Sequence, residues 1–135
     1  MAASEVSIVK VFWITAYKTR AAEFQWKGRD GKEKTESQLT TCDLLFELLN
    51  NVEWVVRAKA AELLAAHREV GVPEALLRAI ERDRQLHVVR EAARAWESVT
   101  GHRPPDVFGL PFVETWWKEH AEETKKRLQK LDCTP

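Results

Sequence analysis

The sequence predicts an all-α chain: a short α-solenoid of stacked antiparallel helix pairs, with a capping helix at each end. Three observations predict it. Val55-Val56-Arg57-Ala58-Lys59-Ala60 and Val88-Val89-Arg90-Glu91-Ala92-Ala93 are near copies, and Val56 to Val89, Arg57 to Arg90 and Ala60 to Ala93 are each separated by 33 residues. Self-similarity at a constant period is the mark of a repeat architecture. Each copy follows a shorter apolar run, Leu44 to Asn51 or Leu76 to Arg84, and the polar turn residues Asn50 and Asp83 again lie 33 apart. Within each run the apolar residues recur at three- and four-residue steps, the spacing that lines one face of a helix.

A chain of 135 residues that is 44% hydrophobic and 31% charged fits one soluble domain with a single core. Its parts are an N-terminal helix and polar loop (5–36), repeat one (37–71), repeat two (72–101), and a loop with a C-terminal capping helix (102–135). Twenty-one basic residues balance twenty-one acidic ones, so the chain lacks the overall field that draws proteins onto nucleic acid or anionic membranes. Neither the number nor the spacing of Cys42 and Cys133 suggests a disulfide framework or a zinc site, which makes a reducing cytoplasm the expected compartment. The N-terminal apolar run is shorter than the roughly 20 residues that span a bilayer, and it lacks the flanks of a secretory signal.

Taken in order, Val6, Val9, Trp13 and Ala16 lie on one helical row, and Ser4 is placed to cap it, so a helix is expected over about 5–23. The β-branched content of residues 6–15 keeps a strand as the rival. Lys27 to Glu36, with two glycines and no large apolar side chain, reads as a solvated loop. Its Gly28-Arg29-Asp30-Gly31-Lys32 has two residues between the glycines rather than the four of a phosphate loop. Lys18 to Lys34 carries six basic and three acidic residues, a local excess of three positive charges.

The next helix runs from about Ser37 to Asn50 with Leu39, Cys42, Leu45 and Leu49 on one row and Leu44 and Leu48 beside it. Thr40 with Asp43, or Thr35 with Gln38, forms the capping box. Its partner, about Glu53 to Val70, buries Val56, Ala60, Leu63, Leu64 and His67, and Gly71 closes it. Ala60 is expected at a close helix contact. Pro73 opens a short helix through Arg82 with Leu76, Leu77 and Ile80 inward. The partner helix, about Gln85 to Thr100, buries Val89, Ala93, Trp96 and Val99 and stops at Gly101. Residues 102–110 form a Pro- and Gly-containing loop. A last helix from Pro111 to about Leu131 carries Phe112, Trp116 and Trp117, then a charged half with Glu122 to Lys126 and Glu123 to Arg127 pairs.

Val56-Arg57-x-x-Ala60 and Val89-Arg90-x-x-Ala93, each after a polar turn, resemble HEAT-like repeats of the short bacterial type, over about Leu39 to Gly101. The signatures of tetratricopeptide and ankyrin repeats are missing. Thr100-Gly101, Asp106-Val107-Phe108-Gly109 and Trp116-Trp117-Lys118-Glu119-His120 resemble the segment that closes some bacterial HEAT-like proteins. Phe108, Phe112 and the tryptophans would then cover the last repeat. The resemblance implies a non-catalytic scaffold, with Arg57 and Arg90 bonded to the polar turn residue of an adjacent unit.

Parallel second helices of such a stack line its inner curve, so Arg57, Ala61, Arg68, Arg90, Arg94 and Glu97 form the expected binding strip. Guanidinium forks suit carboxylate-rich peptide or phosphate. Trp54 and Trp117 are hard to bury by pattern and are candidate interface anchors; Trp26 is a third tryptophan of that kind. The expected partner is a protein or another domain of a longer chain, with nucleic acid disfavoured by the zero net charge. His120 with Glu119 and Glu123 lacks the third ligand or nucleophile that a metal or catalytic site requires, so no catalytic residue, metal or cofactor is assigned. The rival functions are duplex binding, as in HEAT-like DNA glycosylases, and lyase-like chemistry known for some short-HEAT proteins; the latter rests on fold analogy alone.

Overall fold

A computed structural model of the chain describes residues 26–103 and 110–133. After a 3-10 turn at Glu36–Gln38 come five helices: α1 (Thr41–Asn50), α2 (Trp54–Leu64), α3 (Val72–Arg82), α4 (Leu86–Thr100) and α5 (Leu110–Lys126). Among the described residues there is no strand, only two isolated bridges, Trp26 to Lys34 and Glu69 to Gln129. The helix-or-strand choice for residues 6–17 and the cap loop containing Phe108 lie outside the described residues.

Helix starts follow the local chemistry. Gln38 Oε1 accepts the Thr35 N–H and shapes the 3-10 turn. Thr40 Oγ1 accepts the Asp43 N–H while Asp43 Oδ2 accepts the Thr40 N–H, a reciprocal box that opens α1. Both sequence candidates for the capping box are therefore used, one on each turn. Pro73 sits in the first turn of α3, where its missing N–H leaves no bond unmade, and Gly101 caps α4.

α1 packs along α2, α3 along α4, and α2 along α4; α1 also touches α3, and α3 touches α5. With neighbours on two sides, α2 buries residues around most of its circumference: Val55, Val56, Ala58, Ala60, Ala61 and Leu64. On α4 the buried set is Val88, Ala92, Ala93, Ala95, Trp96, Val99 and Thr100. Ala60 and Ala93 are both in the core, as the repeat requires. Three side-chain hydrogen bonds tie the helix pairs together. Arg57 Nε and Nη2 grip the Asp83 carboxylate at 2.7 and 3.2 Å, and Ser98 Oγ donates to Ala65 O across 33 residues, one repeat period.

Five expectations change. The inner row of α1 is Thr41, Leu44 and Leu48, while Leu49 and Phe46 face solvent and Cys42 and Leu45 are half-buried. Apolar residues occupy two sides of this helix, and the side that is buried is the Leu44/Leu48 side. α2 ends at Leu64 rather than Val70, its last turn tightening into i to i−3 bonds at Ala65, Ala66 and His67. Gly71, expected to close α2, instead precedes α3 with φ 95°, a left-handed conformation that glycine adopts without a Cβ clash. α5 ends at Lys126. A turn at Arg127 and Leu128 follows, after which Gln129 N–H donates to Arg68 O and Val70 N–H to Gln129 O. Finally, Cys42 and Cys133 form a disulfide with Cα atoms 5.5 Å apart, although 91 residues separate them.

Candidate functional site

Leu86, Arg90, Arg94 and Glu97 stand at steps of four, four and three on α4, the spacing of one helical face, and all four are exposed. The Arg90 guanidinium makes no hydrogen bond or ion pair among the described residues. Arg94 is 77% exposed and its guanidinium lies 3.3 Å from Glu91. The face therefore presents an apolar side chain, two guanidinium groups and one carboxylate.

The first repeat does not continue this row. Arg57 is largely buried by its Asp83 pair, and its Nη1 also donates to Asn51 O at 2.9 Å. Three bonds from one guanidinium fix the α1–α2 turn to the α3–α4 turn, the structural role that the repeat resemblance implies for this arginine. Ala61, expected on the strip, is fully buried. Arg68 is exposed on the extended stretch after α2, where its carbonyl accepts Gln129 N–H. The structure thus brings Arg90 and Arg94 together and leaves Arg57 and Arg68 apart from them.

The tryptophans separate in the same way. Trp117 is buried, edge-on to Trp96 with ring centroids 6.4 Å apart. Trp26 is also buried, at the foot of the polar loop. Trp54 is half-buried and meets His87 edge-on at 5.8 Å, which brings the start of α2 against the start of α4. At these helix starts Val52 is 94% and Leu86 43% exposed, among the charged side chains of Glu53 and Arg84.

His120, singled out beside Glu119 and Glu123, stacks on Trp116 at 4.5 Å, and its Nδ1 lies 2.8 Å from Trp116 O. His102 stacks on the other face of that indole at 4.1 Å, so both imidazoles are packing partners of one ring.

Two polar clusters went unread in the sequence. In the first, the loop expected to be solvated is closed at its base, where Lys34 N–H donates to Trp26 O at 2.6 Å. Arg29 N–H and Lys34 Nζ each donate to the buried Asp43 carboxylate at 2.9 Å. Burial pushes the Asp43 carboxyl up, but the N–H groups of Arg29 and Thr40 together with Lys34 outweigh it and hold the pKa at about 2. The hydrogen bond to Asp43 raises the Lys34 ammonium in turn. A Cβ on Gly28, whose φ is +66°, would lie 2.7 Å from Asp43 Oδ1, so glycine is required where the loop crosses α1. The sequence signal was Asp43 itself, a capping residue with a second oxygen to spare.

In the second cluster, Thr41 Oγ1 lies 2.7 Å from His67 Nδ1 and donates to Glu69 Oε1. Both partners engage the hydroxyl, and Glu69 approaches the same imidazole nitrogen at 3.5 Å. A nucleophile–base–orienter relay places its nucleophile and orienter on opposite nitrogens of the basic imidazole. Here the arrangement is a staple holding the stretch after α2 to the start of α1.

In comparisons with protein-family models, curated proteins and solved structures, nothing matches this chain. The resemblance to HEAT-like repeats therefore rests on the chain's own residues. Among the described residues no helix is long and apolar enough to cross a membrane.

Proposed function

We propose that this chain is a non-catalytic protein–protein interaction scaffold built as a HEAT-like α-solenoid, which presents the exposed row of α4 to an acidic segment of a partner protein. The observation that carries the reading is the shared face of Leu86, Arg90 and Arg94, beside the exposed Val52 turn, on helices already locked to one another. The apolar residues supply contact area, and guanidinium groups bond carboxylates in pairs. Because the helices are held by the Arg57–Asp83 and Ser98–Ala65 bonds, the surface is preorganised, which lowers the ordering cost of association. Stacked pairs in register, tied across one repeat period, support the solenoid reading.

The same reading places the module in the cytoplasm. There a Cys42–Cys133 bond would form transiently, since glutathione and thioredoxin systems keep thiols reduced.

The test is quantitative capture from native extract with the unchanged chain and with an Arg90→Glu/Arg94→Glu bait. Both side chains are exposed, so the double variant keeps the wild-type helical signal. A partner that binds through this face is lost from the variant bait and recovers when its own acidic segment is made basic. Equal capture by both baits would remove the α4 face from the function.

A further inference from the structure

Residues 127–133 leave the end of α5, pair with the 68–70 stretch, and are fastened to α1 by the Cys42–Cys133 disulfide. Among the described residues, Arg127 and Leu128 bond back to the end of α5, and Asp132 has a partner as well. Two backbone hydrogen bonds run between Gln129 and the Arg68–Val70 stretch, and Leu128 packs partly against the core. Beyond Leu128 an open cleft of about 380 Å³ is lined by Val70, Lys130, Leu131 and Asp132. α5 itself is held elsewhere, by Val113 and Trp117 in the core and by the Lys125–Glu74 ion pair to α3. Both sulfur-bearing residues are only half-buried, within reach of a reducing thiolate.

We propose that the Cys42–Cys133 disulfide is a redox-sensitive clasp: reduction by a dithiol frees residues 127–133 from the 68–70 stretch and leaves the helical stack folded. Local openings of this kind occur where few apolar contacts back the hydrogen bonds. One thiolate of the dithiol attacks Cys133 Sγ, forming a mixed disulfide and expelling Cys42 Sγ as a thiolate. The reductant's second thiolate then displaces Cys133 Sγ. The dithiol leaves as its own disulfide, oxidised by two electrons, and Cys42 and Cys133 gain those electrons and two protons. Cys42 suits the leaving role. It is the second residue of α1, where the helix N-terminus favours negative charge, and the carboxylate of its neighbour Asp43 is already neutralised by Lys34. Release exposes the Arg68 carbonyl and the Val70 N–H, an edge that an extended segment can pair with. The clasp does not depend on the α4 face being a binding surface.

The experiment uses the full chain, oxidised in air, with intact mass before and after thiol alkylation to establish the bond. Amide exchange and far-ultraviolet circular dichroism are then compared with and without a small dithiol reductant. On reduction, Val70 and Gln129 amides exchange about tenfold faster or more, while the helical signal is unchanged. A Cys42→Ser chain without reductant matches the reduced state. Unchanged exchange at Val70 and Gln129 in either comparison would overturn the clasp, because the pairing would then hold by itself. Loss of the helical signal on reduction, or full alkylation of both thiols in the air-oxidised chain, would overturn it equally.

Discussion

The Asp43 carboxylate closes the α1 capping box with one oxygen and, together with Lys34 and the Arg29 N–H, docks the polar loop. Its folded pKa of about 2 lies below the ordinary 3.8. The sign follows directly: a carboxyl depressed by folding adds stability that is fully present above its unfolded pKa and is lost as pH falls toward the folded value. Asp43 is nearly fully buried, so its share is roughly 2 kcal/mol, disappearing between about pH 4 and pH 2. Asp43→Asn is expected to lower the denaturant midpoint at neutral pH and to flatten the acid limb between those values. Parallel acid limbs for variant and wild type would assign the acid sensitivity elsewhere. Lys34 works in the opposite sense, its raised pKa adding stability that is lost only as the medium becomes strongly alkaline.

At the scale of elements, the Arg57–Asp83 pair decides how the two helix hairpins meet. The carboxylate is almost wholly buried and the guanidinium mostly so, and Asp83 Oδ1 also accepts the Gln85 N–H at the start of α4. Removing either partner leaves the other buried without its counter-charge, so Arg57→Ala and Asp83→Ala are each expected to cost about 3 kcal/mol. The double variant should cost clearly less than their sum, with a coupling on the order of 1–3 kcal/mol measured by chemical denaturation. Simple additivity would mean the pair contributes nothing to the stacking. This contact was legible because the arginine and the turn aspartate belong to the repeating unit. So were the capping boxes, which need only residues three apart. The facing of α1 was not legible, since periodicity defines stripes at Leu44/Leu48 and at Cys42/Leu45/Leu49 without saying which is buried. Nor was the end of α2, because Ala65 to Val70 has a composition a helix tolerates. The stretch leaves the helix for bonds to Thr41 and Gln129, partners 26 or more residues away.

For the whole molecule, the balance of twenty-one basic against twenty-one acidic residues becomes more informative once the arginines are placed. The sequence offered four arginines as a strip, and its second half, Arg90 and Arg94 on α4, survives as a face because both follow the helical row that packing leaves outward. The first half does not, because Arg57 is consumed by Asp83, a use that shares its sequence signal with ligand binding. Among the described residues the Arg90 guanidinium has no partner, while Arg94 is shared with Glu91. Each phosphate neutralised on duplex DNA contributes about −0.9 to the slope of log K against log salt. Two arginines therefore support a slope no steeper than about −2, and an affinity no better than the roughly 10⁻⁴ M end of non-specific binding at physiological salt. Fluorescence anisotropy with a labelled duplex, titrated at about 50 and about 200 mM salt, should show weak binding that falls by no more than about tenfold between the two conditions. A slope near −5 or steeper would require five or more phosphate contacts, more than this face can make, and would make nucleic acid the ligand in place of an acidic protein segment.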